Sequence, residues 1–382
     1  MSVSPALYKK LQKMEDKISD GQVNEVLILC TNLLSKKHLN TYEKSIIRQM
    51  QASVYIRSKN YLKAIDAYQA IIVFNALPKN NLLSIHYTLA QLFMQQAQYE
   101  SALKQFKLWM AETAKPKSDA WRFLASIYIA QERYDAAIPA AEKALALAMP
   151  KTESHYQLLL GLYQRSNKSE HAISLLKEVL LYFPQNKEYW LQLFYMLNEV
   201  GKEKQALTIL DLAYINGMLN DENEVSQLAQ LHLYHQNPFR VAMILEQGIA
   251  EGMIKKSYSH LQLLASAWFN ARDYQKAIKW LLQAAQLSGD GKAYYQLAQA
   301  YSELNDWERV ALSLHSALKD TKFENRGAAY LLLGIAYTEQ KKFSEAEKSF
   351  QHSLLDGKTK SEAEKWLVYI AEMDHADAYK EN

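Results

Sequence analysis

The 382-residue sequence has few of the residues that mark disulfide-linked, membrane-spanning or nucleic-acid-binding proteins. Its single cysteine excludes an internal disulfide, and 7 prolines and 11 glycines are too few for a long flexible linker. No apolar run approaches the ~20 residues that a transmembrane helix needs. The 44 basic and 41 acidic residues nearly balance, and no basic run is interleaved with aromatic residues, so nucleic acid is not expected as a ligand.

Patterns typical of catalysis, cofactor binding and metal binding are also missing. The Gly-Asp-Gly turn at 289–291 has neither the spacing nor the preceding strand of a phosphate-binding loop. His232 and His235 lie at i and i+3 of a predicted helix, but no third ligand is near them in the sequence. Cys30 falls on the apolar side of a predicted helix, where a buried, unreactive thiol is expected. The sequence therefore predicts a protein that is not an enzyme and holds neither cofactor nor metal.

Two short amphipathic helices, over residues 118–150, set the pattern of the chain. Trp121, Ala125 and Tyr128 lie on one face of the first helix at helical spacing. A polar turn follows, and Ala137 lies on the apolar face of the second helix. The small side chains of Ala125 and Ala137 let the two backbones approach, while the aromatic side chains fill the space around them. One such hairpin cannot bury both of its faces, so copies of it are expected along the chain.

Copies of this hairpin recur through nearly the whole sequence. Residues equivalent to Ala137, which we use as the marker of the second helix, follow one another at steps of 33 to 38 residues. The markers are Val26, Ala64, Ala102, Ala137, Ala172, Ala206, Ala242, Ala277, Val310 and Ala346. In seven copies an aromatic residue precedes the marker by nine positions in the first helix. This period, and the order Trp, Leu-small, Tyr, Ala and Pro within it, resemble the tetratricopeptide repeat (TPR).

The resemblance implies an all-α fold, a TPR helical-hairpin solenoid. It would form a right-handed superhelix of about ten hairpins and a C-terminal capping helix. We predict a degenerate N-terminal hairpin or cap over residues 1–40, tandem TPR hairpins over 41–358, a capping helix over 359–373 and a polar tail over 374–382. The capping helix should direct Trp366, Leu367 and Ile370 inward and its charged residues outward.

A partner-binding groove is expected along the first helices of the hairpins. In TPR proteins the inward-facing residues lie one and five positions after the opening aromatic residue of the first helix. Transferred to this sequence, the predicted partner-binding residues are Tyr87, Gln91, Arg122, Ser126, Gln157, Tyr195, Gln262, Tyr295 and Gln299. The remaining inward positions hold Gly161, Leu191, Ser266, Leu331 and Ile335. Their amide, hydroxyl and aromatic groups suit an extended backbone or a packed helix of a protein partner.

One known use of TPR proteins is not expected here. The clamp that grips the terminal carboxylate of chaperone tails needs lysine, asparagine and arginine at the inward positions. Only Arg122 is present among them.

Residues 188–219 and 225–254, which begin EYWLQLFYML and VSQLAQLHLY, resemble the TPR proteins of gammaproteobacterial TonB clusters. That resemblance implies a periplasmic accessory of the TonB complex, with TonB, ExbB or ExbD as partners, in outer-membrane uptake of iron chelates and other nutrients. The initial Ser-Val-Ser-Pro is similar to the mature start of an exported member of the group. The residues alone do not decide between a periplasmic and a cytoplasmic location. The alternatives are a general TPR scaffold, a co-chaperone-like assembly factor, and a self-associating structural protein such as a weak homo-oligomer.

Overall fold

The described part of the chain is helical throughout. A computed structural model describes residues 3–378, with side chains as far as residue 373. Within those residues the chain forms twenty-one α-helices and no strand. It divides into two compact units, Met1–Phe183 and Pro184–Asn382.

The first unit contains five consecutive helical hairpins. Its helices are α1 (Pro5–Ser19), α2 (Val23–Leu34), α3 (Thr41–Arg57), α4 (Tyr61–Phe74), α5 (Lys79–Gln95), α6 (Tyr99–Glu112), α7 (Ser118–Ala130), α8 (Tyr134–Leu147), α9 (Glu153–Arg165) and α10 (Ser169–Tyr182). Each helix packs against the next one along the chain. An odd-numbered helix and the even-numbered helix that follows it form one hairpin.

The second unit contains five further hairpins and a closing helix. Its helices are α11 (Lys187–Glu199), α12 (Glu203–Ile215), α13 (Glu222–Tyr234), α14 (Pro238–Ala250), α15 (Tyr258–Asn270), α16 (Tyr274–Ser288), α17 (Gly291–Ser302), α18 (Trp307–Lys319), α19 (Arg326–Glu339), α20 (Phe343–Ser353) and α21 (Lys360–Ala378). Helix α21 packs on α20 and α19. The predicted all-α architecture of hairpins and a closing helix is confirmed.

The predicted domain boundaries stay predictions, and two of the predicted segments fall partly outside the described residues. The polar tail predicted over 374–382 overlaps the end of α21. The side chains of the tail and its last four residues lie outside the described part of the chain. Met1 and Ser2, at the predicted mature start, lie outside it as well.

One type of turn joins the two helices of every hairpin. In the α7/α8 hairpin, Glu132 adopts φ 59°, and the amide of Arg133 donates to the carbonyl of Tyr128 over 2.9 Å. This Schellman arrangement satisfies carbonyls that the end of a helix leaves unpaired. Residues with the same positive φ occupy the other nine turns: Gly21, Lys59, Ala97, Asn167, Gly201, Gln236, Arg272, Asn305 and Lys341. Because the donor residue directly precedes the first residue of the second helix, the turn fixes the direction of the second helix relative to the first.

The carbonyl that accepts this bond belongs to the predicted aromatic residue of the first helix. The acceptors are Tyr55, Phe93, Tyr128, Tyr163, Trp268, Tyr301 and Tyr337, and in the other hairpins Lys17, Leu197 and His232. In five hairpins a basic side chain lies over this ring at 3.9 to 5.9 Å from its centroid. Each such cation–π contact is worth about 0.5–1 kcal/mol at an exposed site. His232 is therefore in a structural position of the repeat.

The marker residues predicted from the sequence are fully buried in every hairpin, each with 0% exposure. In α14 the register differs by one residue. The amide of Val241 donates to the carbonyl of Asn237, as the amide of Ala137 does to that of Arg133, and the positive-φ residue lies five positions earlier in both hairpins. Val241 rather than Ala242 is thus the structural equivalent of the marker. The predicted register is wrong here because both neighbouring side chains are buried and apolar.

Small residues are buried on the first helices too, twelve positions before the marker. Ala125 has 0% exposure, and a Cβ added to Gly334 would lie 2.4 Å from the ring of Phe350 in α20, so this glycine allows a close helix approach. The α1/α2, α9/α10 and α11/α12 hairpins hold the larger Met14, Leu160 and Phe194 at this position, and all three are buried.

A single carboxylate caps the starts of α1 and α3. Glu43 accepts the backbone amide of Ser4 at 3.1 Å and that of Asn40 at 3.3 Å, and the Asn40 side chain accepts the amide of Glu43 at 2.8 Å. The pair Asn40 and Glu43 forms a capping box, which satisfies two amides that a helix start leaves unpaired. The hydrogen bond from the Ser4 amide holds the pKa of Glu43 below its usual range, although burial acts in the opposite direction.

The closing helix departs from the prediction on its outer face. Ile370 is buried, and Trp366 and Leu367 pack against the core of the last hairpin, as predicted. Val368 and Tyr369, however, are 61% and 45% exposed. The charged residues of α21 up to residue 373 are exposed as predicted, but these two apolar residues are exposed with them, because the apolar residues of α21 extend around more of the helix than one buried stripe.

Two glycines give a matched pair of substitutions with opposite expected effects on stability. Gly201 has φ 72° in a hairpin turn and a Cβ there would meet no atom within 4 Å, so Gly201→Ala should cost only the left-handed backbone energy, about 1–2 kcal/mol. Gly161 lies inside α9 with the same free space, so Gly161→Ala should stabilise the protein by about 1 kcal/mol. Urea unfolding measures both changes. Shifts of the same sign would contradict the turn assignment.

The buried thiol of Cys30 gives a second test of the fold. Its side chain is 0% exposed in α2, and burial raises the pKa of the thiol to about 12. Because the thiolate is the reactive form, we expect no reaction with Ellman's reagent in the native protein at mildly alkaline pH, and one reacting thiol after denaturation. Fast reaction of the native protein would show that α2 is not packed as described.

Candidate partner-binding groove

Four of the predicted partner-binding residues lie around one cavity of the first unit. This cavity, which we call the α5–α9 groove, has a volume of about 650 Å³. Its lining residues are Tyr87 from α5, Asp119, Arg122, Phe123 and Ser126 from α7, and Ser154, Gln157 and Leu158 from α9. The structure thus brings Tyr87, Arg122, Ser126 and Gln157 together.

The lining of the groove follows from helical spacing. On α7, Asp119 lies three residues before the predicted Arg122, and Ser126 lies four residues after it, so the three share one face. On α9, Ser154 precedes Gln157 by the same interval. The prediction missed Asp119, Phe123, Ser154 and Leu158. Including the positions three before and one after each predicted inward residue would have found all four.

An aromatic cluster fixes one wall of the groove. The ring of Tyr87 meets that of Trp109 edge to face at 4.9 Å between centroids, and that of Phe123 at 5.7 Å. Both Tyr87 and Phe123 also contact Phe106, which is fully buried. Such aromatic pairs are worth about 0.5–1.5 kcal/mol beyond the area that they bury. The two groove-lining rings therefore belong to the core and keep a fixed orientation.

The charges of the groove are those of Arg122 and Asp119. Burial raises the pKa of Tyr87, and the negative charge of Asp119 adds to the effect, so the phenol stays neutral. Burial lowers the pKa of His155, which lies at the start of α9, and the positive charge of Arg122 adds to that effect. The His155 ring contacts the hydroxyls of Thr152 at 2.7 Å and Ser118 at 3.3 Å. The basic group of this groove is accordingly the exposed guanidinium and not the imidazole.

A second cavity adjoins the α5–α9 groove and shares Tyr87 and Asp119 with it. Its volume is about 510 Å³, and its lining includes Trp109 and two basic residues of the α6–α7 connection, Lys115 and Lys117. The two cavities together form a continuous surface with an aromatic centre. Gln91, by contrast, is exposed on α5 and does not line either cavity.

In the second unit the predicted residues of α15 and α17 form a smaller site. Gln299 borders a cavity of about 260 Å³ together with Ser266 and Gln296. Gln262 donates its side-chain amide to Gln296 over 3.3 Å. Tyr295 packs on Phe323 at 5.6 Å between ring centroids. This surface therefore combines amide groups with apolar and aromatic side chains.

The other predicted positions of the second unit differ from one another. Tyr195 is 57% exposed on α11, where its ring meets that of Phe194 at 5.1 Å. Leu331 and Ile335 pack against the core cluster that α20 and α21 share, so the closing helix takes up the space that a ligand would need there. On α13 the corrected register places Ser226 and Gln230 at the inward positions, for which the sequence prediction names no residues.

Of the two histidines that lie at i and i+3 in α13, His232 takes part in a polar cluster of side chains. His232 is buried, and its Nε2 lies 3.0 Å from Oδ1 of Asp211, which also accepts from Arg240 at 3.0 Å. Among the residues that the structure describes, no group of three or more His, Cys, Asp and Glu side chains is placed to hold a metal ion. Nor does residue range 3–378 contain a helix with the length and apolar character needed to cross a membrane.

Two segments match a family model described as tetratricopeptide repeat, residues 87–151 and 295–359. The first covers α6 to α8 with most of α5, and the second covers α18 to α20 with most of α17. In both segments the turn, the aromatic residue and the small marker all recur. The fold is that of a tetratricopeptide repeat protein. No curated protein sequence matches the chain.

Solved structures of other TPR proteins are similar to this chain at low sequence identity. A TPR protein from Parabacteroides merdae is 14% identical, with 69% of this chain and 99% of that one covered and a TM-score of 0.39. YrrB, described as a TPR protein with an unusual peptide-binding site, is 11% identical. The match covers 50% of this chain and 97% of YrrB, with a TM-score of 0.37. A chain of the APC/C hetero-tetramer Cut9–Hcn1 is 14% identical. That match covers 94% of this chain and 95% of the other, with a TM-score of 0.33. The repeat assignment depends on the matched segments and on the recurring turn.

Proposed function

We propose that this TPR scaffold is non-enzymatic and binds a segment of a partner protein in the α5–α9 groove. The observation that carries the proposal is the convergence of three consecutive first helices, α5, α7 and α9, on one cavity of about 650 Å³. That volume falls within the range of about 300–1,000 Å³ that is usual for ligand sites. Fixed aromatic side chains beside a few polar groups are also typical of such sites.

The lining of the groove defines the chemistry of the bound segment. The exposed guanidinium of Arg122 presents donors that match a carboxylate, so an acidic side chain of the partner is placed opposite it. Ser126 donates its hydroxyl proton to the carbonyl of Phe123 over 2.7 Å, which leaves its oxygen to accept from a partner amide. Apolar partner side chains contact Tyr87, Phe123 and Leu158. An extended segment that alternates acidic and apolar residues fits this lining.

The partner that we propose is a component of a TonB complex, bound in the periplasm. The support is the resemblance of residues 188–219 and 225–254, which form α11 to α14, to TPR proteins of TonB clusters. In this role the protein holds a segment of TonB, ExbB or ExbD and assists assembly of the complex. A general TPR scaffold with a different protein partner would use the same groove, and it differs only in what is captured.

Charge reversal in the groove should remove the partner. Arg122→Glu replaces the carboxylate-binding group by a repelling one, so we expect capture of the partner to fall at least about tenfold, the equivalent of 1.4 kcal/mol. Quantitative mass spectrometry after affinity capture from periplasmic extract and solubilised membranes measures this. The matched control is Lys104→Glu, the same charge change at an exposed position of α6. Equal retention by both variants would exclude the groove as the binding site.

Purified TonB, ExbB and ExbD test the identity of the partner. Calorimetric titration of each into the wild-type protein should show binding by at least one of them. That binding should be lost with Arg122→Glu and kept with Lys104→Glu, since only the first residue lines the groove. If none of the three binds while Arg122→Glu still removes another captured protein, the TonB assignment is wrong and the groove assignment stands.

A further inference from the structure

A second groove lies in the first hairpin, outside the residues of the α5–α9 groove. Met14 of α1 and Leu29 and Leu33 of α2 form an apolar floor in a cavity of about 360 Å³. The rim of the cavity consists of the side chains of four lysines and one asparagine: Lys10, Lys13, Lys17, Lys36 and Asn32. We call this cavity the lysine groove. No acidic residue lines it.

The positive charge of the lysine groove is largely uncompensated. Lys17 pairs with Glu25. Among the described residues, Lys10, Lys13 and Lys36 take part in no ion pair. Lys10 lies beside Lys36, and its hydrogen bond and charge hold the pKa of Lys36 below its usual range. Like charges this close around an apolar floor favour an acidic, apolar ligand.

The closing helix carries the complementary chemistry. On its outer face Val368, Tyr369 and Met373 are 61%, 45% and 40% exposed. Glu364 and Glu372 are exposed on the same helix. In sequence α21 holds Glu362, Glu364, Glu372, Asp374 and Asp377 against Lys360 and Lys365, which gives it a net negative charge. It is an acidic helix with an exposed apolar surface, and both properties match the lysine groove.

We propose that the lysine groove of one copy of the protein binds helix α21 of a second copy. Apolar side chains of α21 cover the floor formed by Met14 and Leu29, and its carboxylates pair with the lysines. The two surfaces differ, so the contact is heterologous, and each copy can add another. Self-association of this kind uses none of the residues that line the α5–α9 groove. The assembly therefore presents several partner-binding grooves together.

Complementary charge reversals test the proposal. One variant, Lys13→Glu with Lys36→Glu, gives an acidic groove, and the other, Glu364→Lys with Glu372→Lys, gives a basic helix. All four side chains border the groove or are exposed on α21, so the folded state should persist, as circular dichroism checks. Sedimentation velocity should show a mass that rises with concentration for the wild type and falls with added salt, because salt screens exposed charges.

Each variant alone should weaken the association at least about tenfold, since every 1.4 kcal/mol of lost contact is a factor of ten. An equimolar mixture of the two should restore it, because the acidic groove then meets a basic helix and the wild-type helix meets the wild-type groove. The matched control, Lys104→Glu with Lys107→Glu on the exposed face of α6, should associate as the wild type does.

Three results would overturn the proposal. The first is a wild-type mass that stays that of a monomer at all concentrations. The second is self-association that either reversal leaves unchanged or that mixing does not restore. The third is binding of the monomer to anionic lipid vesicles, lost in Lys13→Glu with Lys36→Glu, without any self-association. That result would assign the lysine groove to a membrane surface.

Discussion

The hydrogen bond that closes each hairpin turn fixes the geometry on which everything else depends. It runs from the residue before the second helix to a carbonyl of the first, which in seven hairpins belongs to the predicted aromatic residue, and it requires one residue of positive φ between them. Eight of the ten such residues are not glycine, so the chain accepts about 1–2 kcal/mol of backbone cost at each. Because the residue that donates this bond directly precedes the second helix, the two helices must approach closely. Small, fully buried side chains such as Ala137 make that approach possible.

Much of the fold could be predicted because its constraints are local and repeat. The marker position, which requires a small side chain and usually holds alanine, recurs at nearly constant spacing. In most hairpins an aromatic residue lies nine positions before it. The predicted register is wrong where two neighbouring residues fit the marker position equally well. Val241 and Ala242 are neighbours and both fully buried, so the pattern of apolar residues alone does not set the register, whereas the positive φ of Gln236 does. In α21, the exposed Val368 belongs to no repeat, so periodicity carried no information about it.

The groove could be predicted in part, for a related reason. Counting along one helix found Arg122 and Gln157, since inward positions recur with the repeat. The floor and walls depend on contacts between helices, such as the edge-to-face packing of Tyr87 on Trp109 from the neighbouring helix α6. The same applies at Ile335, which counting places in a groove and which packs instead against the core shared with the closing helix. Repeat position thus indicates which face a side chain occupies, and neighbouring helices decide whether that face is open.

The carboxylate of Glu43 links the first hairpin to the rest of the chain through proton binding. It accepts the amides that begin α1 and α3, and its pKa lies below the ordinary value because of the bond from Ser4. A group of this kind stabilises the folded state above its unfolded pKa, and that contribution is lost as the pH falls through its folded pKa. One protonation therefore loosens the starts of two helices, one of which lines the lysine groove. The acidity of the surrounding compartment and the integrity of the first hairpin are in this way thermodynamically coupled.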